Sequence, residues 1–472
     1  MNPTPMHLRT VLITAFATVL LALAPVTIAA DLNWRSLDPN RSLQGWSVRG
    51  GKAEFTVAGQ EIVGRSVLSS PNSFLVTDAT FGDFILEYDA KVDPRLNSGV
   101  MVRAERRPEY RNGVVFGYQV EIDSSARAWS GGIYDEQRRE WLNTLARNAP
   151  ARAAFKVGEW NHFRVEALGN RIRTFVNGVA AANLIDDMTP RGFIGLQVHS
   201  VDDGPKLAGL EARFRNIRIL TQNVAADATP LDPAADEYNY IPNRLTDAQV
   251  AQGWRLLWDG TSTNGWHGAT LPGFPDHGWT IRDGVLSVDA ATGGESTNGG
   301  DIITREEFAN FELELDFRIT PGANSGIKYF VDPQLGPTLG LAGSAIGLEF
   351  QILDDERHPD AKLGVRGNRT AGSLYDLIPA TNLDEPGRSA KRVLPPGEWN
   401  RARIVATGRH VEHWLNGVKV VEYDRGTQLF RALVSNSKYK DMPGFGERER
   451  GPILLQDHGN AVSFRSIKIR SL

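Results

Sequence analysis

Apolar and polar residues alternate with a period of two along most of the chain. The pattern is clearest in DFILEYDAKV (Asp83 to Val92), HFRVEAL (His162 to Leu168), FELELDFRI (Phe311 to Ile319) and SFRSIKIR (Ser463 to Arg470). Gly, Asn, Asp and Pro bound these runs, which predicts half-buried antiparallel strands. RIRTFVNGVAA and HVEHWLNGVKVV each set Asn-Gly between two such runs. Both residues tolerate positive φ, so each pair predicts a two-residue hairpin turn. One short helix is expected at LTDAQVAQGW, where Thr246 and Gln249 have capping-box spacing. Strands divided by turns, with little helix, predict an all-β protein built from jelly-roll sandwiches.

The chain repeats itself. LNSGVMVR (Leu96 to Arg103) answers ANSGIKYF (Ala323 to Phe330), GYQVEID (Gly117 to Asp123) answers GLEFQIL (Gly347 to Leu353), and SGGIYD (from Ser130) answers AGSLYD (from Ala371). The same order continues through GEWNHFRV and GEWNRARI, FVNG and WLNG, RGFIGLQVHS and RGPILLQDHG, and FRNIRIL and FRSIKIR. A period above two hundred residues means whole domains in tandem and not a solenoid. Between them QNVAADATPLDPAADEYNYIP, Gln222 to Pro242, has the Ala, Asp and Pro content of a linker. The expected division is a first sandwich over 31–221, a linker over 222–243 and a second sandwich over 244–472.

Residues 1–30 follow a different grammar. Arg9 precedes an apolar run from Val11 to Leu23, then Pro25 and the small pair Ala29-Ala30, as in a cleaved secretory signal. The run is shorter than the roughly 20 residues of a spanning helix, so no membrane span is expected. These features predict a periplasmic or extracellular protein. With 472 residues, 41 % hydrophobic, 23 % charged and net charge -4, the chain has no basic footprint for nucleic acid. It contains no Cys, which rules out a cysteine nucleophile or thiolate metal site and requires each core to hold without disulfides.

GWRLLWDGTSTNGW (Gly253 to Trp266), NSG, GLEFQILDD, GSLYDLI, GEWNRARIVATGRHVEHWLNG and ILLQDHGNAVSFRSIKIR together resemble the 3-keto-disaccharide hydrolase domain family. The second half is similar from about Leu245 to Leu472, the first from Leu32 to about Leu220. The resemblance implies a concanavalin A-like sandwich whose concave sheet carries the ligand, and work on sugars oxidised at carbon 3. The sequence has no dinucleotide fingerprint, so a separate sugar 3-dehydrogenase is implied upstream. A non-catalytic carbohydrate-binding protein is the alternative; 11 Trp would suit sugar stacking.

Strand parity then selects candidate residues. In GLEFQIL, Leu348, Phe350 and Ile352 share one face, leaving Glu349 and Gln351 on the other; the first copy offers Gln119, Glu121 and Asp123. LLQDHG places Gln456 and His458 on one face, and GLQVHS does the same with Gln197 and His199. His458 or Glu349 is the expected base, and Lys328, after NSG, the group that polarises a carbonyl; its counterpart is Met101. His413 is a candidate acid and its neighbour Trp414 a stacking platform, although only one of two adjacent strand residues can face a ligand. Tyr375 and Tyr134 are candidate hydroxyl contacts. LDDERHPD offers Asp354 and His358 to a possible divalent cation, an exposed acidic loop being the commoner outcome.

Overall fold

The computed structural model describes Met1 and residues 33–472 apart from 40–41, 203, 292–293, 339–342 and 386–389. The expected secretion signal, Met1 excepted, lies outside the described residues. Each copy is a sandwich of two mainly antiparallel sheets. The first combines a nine-stranded and a seven-stranded sheet, the second an eight-stranded and a five-stranded one. One apolar core fills the space between the sheets of each copy.

In the five-stranded sheet, Asn324–Asp332 lies between Ile346–Leu353 and Leu454–Leu455. Lys328 stands opposite Glu349, and Gly326 opposite Gln351. Leu348, Phe350 and Ile352 enter the core, so the pleat turns Glu349 and Gln351 to the opposite face. The first copy repeats the register with Met101 opposite Gln119 and Gly99 opposite Glu121.

The repeated GEWN and Asn-Gly motifs form one device. Asn177 and Gly178 have φ of 49° and 81°, Asn416 and Gly417 48° and 77°, as the tight hairpin requires. Asn177 Nδ2 donates to Asn161 Oδ1 at 2.8 Å, and Asn416 Nδ2 donates to Asn400 Oδ1 at 2.8 Å. Asn161 and Asn400 are fully buried, and each also accepts from the backbone, at Lys156 and at Leu394. The motif is thereby explained by turn chemistry, not by catalysis.

Among the segments that depart from the sequence expectation, two bear on how the copies are built. Residues 222–243 are not a free tether. Tyr238–Asn239 adds a parallel strand beside Val179–Ile185, Val224 is buried against Ile85 and Leu220, and Thr229 donates twice to Glu166 Oε1. Composition marked irregular backbone there, but Tyr238 and Tyr240 supply the apolar surface that docks it. The Arg401 guanidinium lies 4.0 Å from the Tyr240 ring centre and donates to Asn239 O at 2.9 Å, fixing the segment to the second copy.

The second departure is a helix at Gln428–Ser435, capped by Thr427, whose side chain accepts from Phe430 N at 3.1 Å. Phe430, Leu433 and Val434 have helical spacing and rest on the core. The capping-box helix at Asp247–Ala251 forms with both reciprocal bonds in place.

Candidate active site

The polar face of the five-stranded sheet gathers charge around Lys328. Its ammonium lies 3.6 Å from Glu295 Oε1 and 3.6 Å from Asp301 Oδ2. Glu349 folds across Gly326: a Cβ at that glycine would stand 2.2 Å from Glu349 Oε1. The glycine of NSG is therefore the space the carboxyl group occupies. Lys328 and Glu349 are each 4 % exposed, so their charges act through protein more than through water.

Burial pushes the Glu349 carboxyl up to about 7, with Lys328 and Lys438 preventing a larger rise. Burial would lower the Lys328 ammonium, but Asp301, Glu349 and Glu295 outweigh it and raise its pKa. Glu295 is also opposed by burial; Lys328, Lys438 and His458 nevertheless hold it below the usual carboxylate range. The result is a carboxyl group that exchanges a proton near neutrality beside a permanent cation.

The LLQDHG motif splits its labour. Asp457 is fully buried and accepts from Gly299 N at 3.0 Å, Gly300 N at 3.1 Å and Gly459 N at 2.9 Å. Its own N–H donates to Asp301 Oδ1 at 3.0 Å, so it ties the loop that carries Glu295 and Asp301 to the sheet. Gln456 Nε2 donates to Glu295 Oε1 at 2.7 Å. His458 is half-buried at the rim, its ring 6.0 Å from that of His358.

A second ring of contacts holds the other side. Tyr375 donates to Asp360 Oδ2 at 2.7 Å, and Arg369 bridges Asp360 at 3.0 Å and Asp376 at 2.7 Å. Asp376 Oδ2 accepts from Lys438 N at 2.7 Å, and the Lys438 ammonium sits 4.2 Å from the Tyr375 ring centre. Lys438 enters from the loop after Gln428–Ser435.

Several expected residues lie elsewhere. His413 faces the core and not the cleft, because His410–Leu415 belongs to the opposite, eight-stranded sheet. It is fully buried between Gly372 O, 3.0 Å from Nδ1, and the Tyr329 hydroxyl, 2.7 Å from Nε2. Burial pushes its pKa down to about 4. Trp414 points out of the far side of that sheet, where its Nε1 donates to Glu412 at 2.8 Å, and it is no platform for a ligand at Glu349. Asp354 is used up as a turn cap: it accepts from Gly322, Glu356 and Arg357 N–H groups and the Arg357 guanidinium. His358 Nδ1 accepts from Asp360 N at 3.2 Å, and among the described residues neither Asp354 nor His358 belongs to a group of three or more side chains close enough to hold a metal ion.

In the first copy, Glu121 and Gln197 occupy the same face of the seven-stranded sheet as their counterparts, with His199 half-buried at its edge. Tyr134 packs edge-on against Trp141 at 5.3 Å. Sequence reading missed Glu295, Asp301, Arg369 and Lys438, all in turns or loops where periodicity carries no signal, and it reached Asp360 only as part of the acidic LDDERHPD cluster; a signal for the helix before Lys438 was present in Thr427 and the apolar spacing.

His413 gives a clear test of the correction. His413→Phe removes the donor to Gly372 O and one of the two partners of the Tyr329 hydroxyl, which keeps Tyr423 at 2.7 Å, and is expected to cost about 1–3 kcal/mol in urea unfolding at pH 8 while leaving kcat unchanged. Because the folded pKa is depressed from 6.5 to about 4, the wild-type contribution is complete above pH 6.5 and is lost as pH falls towards 4. The variant's deficit should therefore shrink at pH 4.5. A fall in kcat with unchanged stability would return His413 to the site.

Comparison with known proteins agrees with the duplication. The model of the 3-keto-alpha-glucoside-1,2-lyase-like domain matches residues 33–220 and again 253–470. A 3-keto-disaccharide hydrolase of Bacteroides thetaiotaomicron is 36 % identical over 241 residues, 47 % of this chain and 79 % of that protein. A crystal structure from Parabacteroides distasonis, assigned as a glycosyl hydrolase, shares 31 % identity and covers 49 % of this chain and 100 % of its own, with a TM-score of 0.42. The carbohydrate-binding module CBM66 of Bacillus subtilis shares 19 % identity over 37 % of this chain and 95 % of its own, with a TM-score of 0.26. With both copies matched over most of their length, the chain belongs to the 3-keto-alpha-glucoside-1,2-lyase-like domain family.

Proposed function

We propose that the second copy hydrolyses 3-keto-glycosides, 3-keto-disaccharides among them, by elimination across carbons 1 and 2 followed by hydration. The observation that carries this reading is the buried Glu349–Lys328 pair, a near-neutral base beside a cation. A ketone at carbon 3 acidifies the hydrogen on carbon 2. The Glu349 carboxylate takes that proton, and the electron pair moves onto the carbonyl oxygen, where Lys328 meets the negative charge. Collapse of the enolate forms the carbon 1–carbon 2 double bond and breaks the bond from carbon 1 to the glycosidic oxygen.

His458, half-buried at the open rim, is the group that gives the departing oxygen its proton and then takes one from the incoming water. Hydroxide adds to carbon 1 of the unsaturated ketone, and Glu349, its acid proton exchanged with the incoming water, delivers a solvent-derived proton to carbon 2. The sum is glycoside plus water giving 3-keto-sugar plus alcohol, so one site is a lyase in its first half and a hydrolase overall. No oxocarbenium ion is needed, unlike the two-carboxylate route. Gln351, Gln456 and Tyr375 would hold hydroxyls. The ketone must come from an oxidoreductase acting on the carbon-3 hydroxyl, and residues 1–30 would deliver the protein to the periplasm or beyond.

The test is incubation with 3-keto-trehalose or 3-keto-sucrose in D2O. Release of 3-keto-glucose carrying deuterium at carbon 2 is expected; intact substrate would overturn the reading, and release without deuterium would overturn the elimination. His458→Ala should cut turnover about a hundredfold with unchanged thermal unfolding. Retained turnover would remove His458 from the mechanism.

A further inference from the structure

Buried polar atoms without partners are costly, about 1–3 kcal/mol each, and persist where something outside the chain completes them. Among the described residues, twelve buried side-chain N and O atoms have no hydrogen-bond partner, two of them, on Arg401 and Arg403, being ion-paired instead, and five of the twelve belong to Gln119, Gln197, Gln351 and Gln456. All four glutamines stand on the polar faces of the two ligand-side sheets. The shortage therefore recurs in both copies, at one matching place, Gln197 and Gln456, and two residues out of step at Gln119 and Gln351.

Gln197 is completely buried, and neither its Oε1 nor its Nε2 has a partner; Gln119 Oε1 has none either. Around them the first copy is organised and not merely degraded. Glu121 accepts from Asn97 Nδ2 at 2.6 Å, from Gln119 Nε2 at 3.0 Å and from Arg127 Nη2 at 3.4 Å. Arg127 also donates to Asp123 at 2.7 Å and lies 4.8 Å from the Trp141 ring centre. His199 Nδ1 is held 2.8 Å from Ser200 O, which leaves Nε2 as an acceptor at the rim.

What the first copy lacks is equally specific. Met101 replaces Lys328 and Gln119 replaces Glu349, in the same register. At these two positions neither a cation nor a carboxylate remains. The carboxylate has instead moved to Glu121, which shares the Arg127 guanidinium with Asp123.

We propose that the first copy is a second, non-catalytic carbohydrate site, which takes a neutral pyranoside through Gln119, Gln197, Glu121, Asn97 and His199 without requiring oxidation at carbon 3. Fixed amide donors and acceptors beside a carboxylate suit the hydroxyl groups of a neutral sugar, and the carboxylates that share Arg127 disfavour an anionic ligand. This inference does not rest on the elimination mechanism.

The experiment is calorimetric titration of the full chain with methyl α-glucopyranoside, trehalose and sucrose, none of which has a ketone to react. At least one should bind. Gln197→Leu and Arg127→Ala should each weaken that binding at least tenfold, whereas Glu349→Gln should retain it. If Gln197→Leu does not fold, Asn97→Ala, half-buried at the rim, serves in its place with an expected loss of at least threefold. Absence of binding by all three sugars, or binding that survives the first-copy substitutions in folded protein, overturns the proposal. Failure to cleave a 3-keto-disaccharide would leave this result untouched, so the two readings fail separately.

Discussion

Glu349→Gln is expected to lower kcat by about 10²- to 10⁴-fold while the protein becomes more stable at neutral pH. Wild-type turnover should rise with pH and level off near 7, because the carboxyl group pushed up to about 7 must lose its proton before it can accept one. The stability effect has the opposite sign. A carboxyl group whose folded pKa exceeds its ordinary 4.5 contributes fully below pH 4.5, and that contribution is lost as pH rises through about 7. Glutamine removes the cost of ionising a buried group, so the variant should gain on wild type between pH 5 and pH 8, by no more than about 3 kcal/mol. Urea unfolding at the two pH values measures this directly. An unchanged kcat removes Glu349 as the base, and a variant that loses ground at pH 8 contradicts its buried setting.

Alternation alone made the frame of this site legible. The parity of GLEFQIL separates Phe350 from Glu349, and a sheet with one face in the core has no other register available. Duplication supplied the rest, since the exchange of Lys328 for Met101 is visible only with two copies side by side. Parity within one strand could not say which sheet that strand joins. His413 and Trp414 alternate as correctly as Glu349 and Gln351, but their strand lies in the opposite sheet, so the inward face means core and the outward face points away from the ligand. Likewise Asp354 and His358 have metal-ligand chemistry by residue type, and turn geometry uses the same lone pairs for backbone N–H groups. Loop residues such as Glu295 and Lys438 reach the cleft through folds of the chain that no local pattern encodes.

Lys328→Met imports the side chain that the first copy carries at the same register, so the strand can accommodate it. Turnover should fall about a thousandfold, because the developing charge on the ketone oxygen loses its nearest cation. The residual activity should carry a second signature. Lys328 is the largest influence holding Glu349 down against burial, so its removal raises the carboxyl pKa further and moves the rising limb of the pH profile above 7. A purely structural loss would leave that limb in place. Asp301 and Glu295 also lose the ammonium 3.6 Å away, and the single variant should therefore be destabilised, by several kcal/mol if all three carboxyl groups stay ionised. Adding Glu349→Gln rebuilds the Met–Gln pair of the first copy and removes one of those charges. The double variant should recover part of the lost stability and none of the activity, a non-additivity that a thermodynamic cycle over the four proteins would read. Additive stability changes would mean that the two side chains do not sense each other, and the shared removal of cation and acid from the first copy would then need another cause.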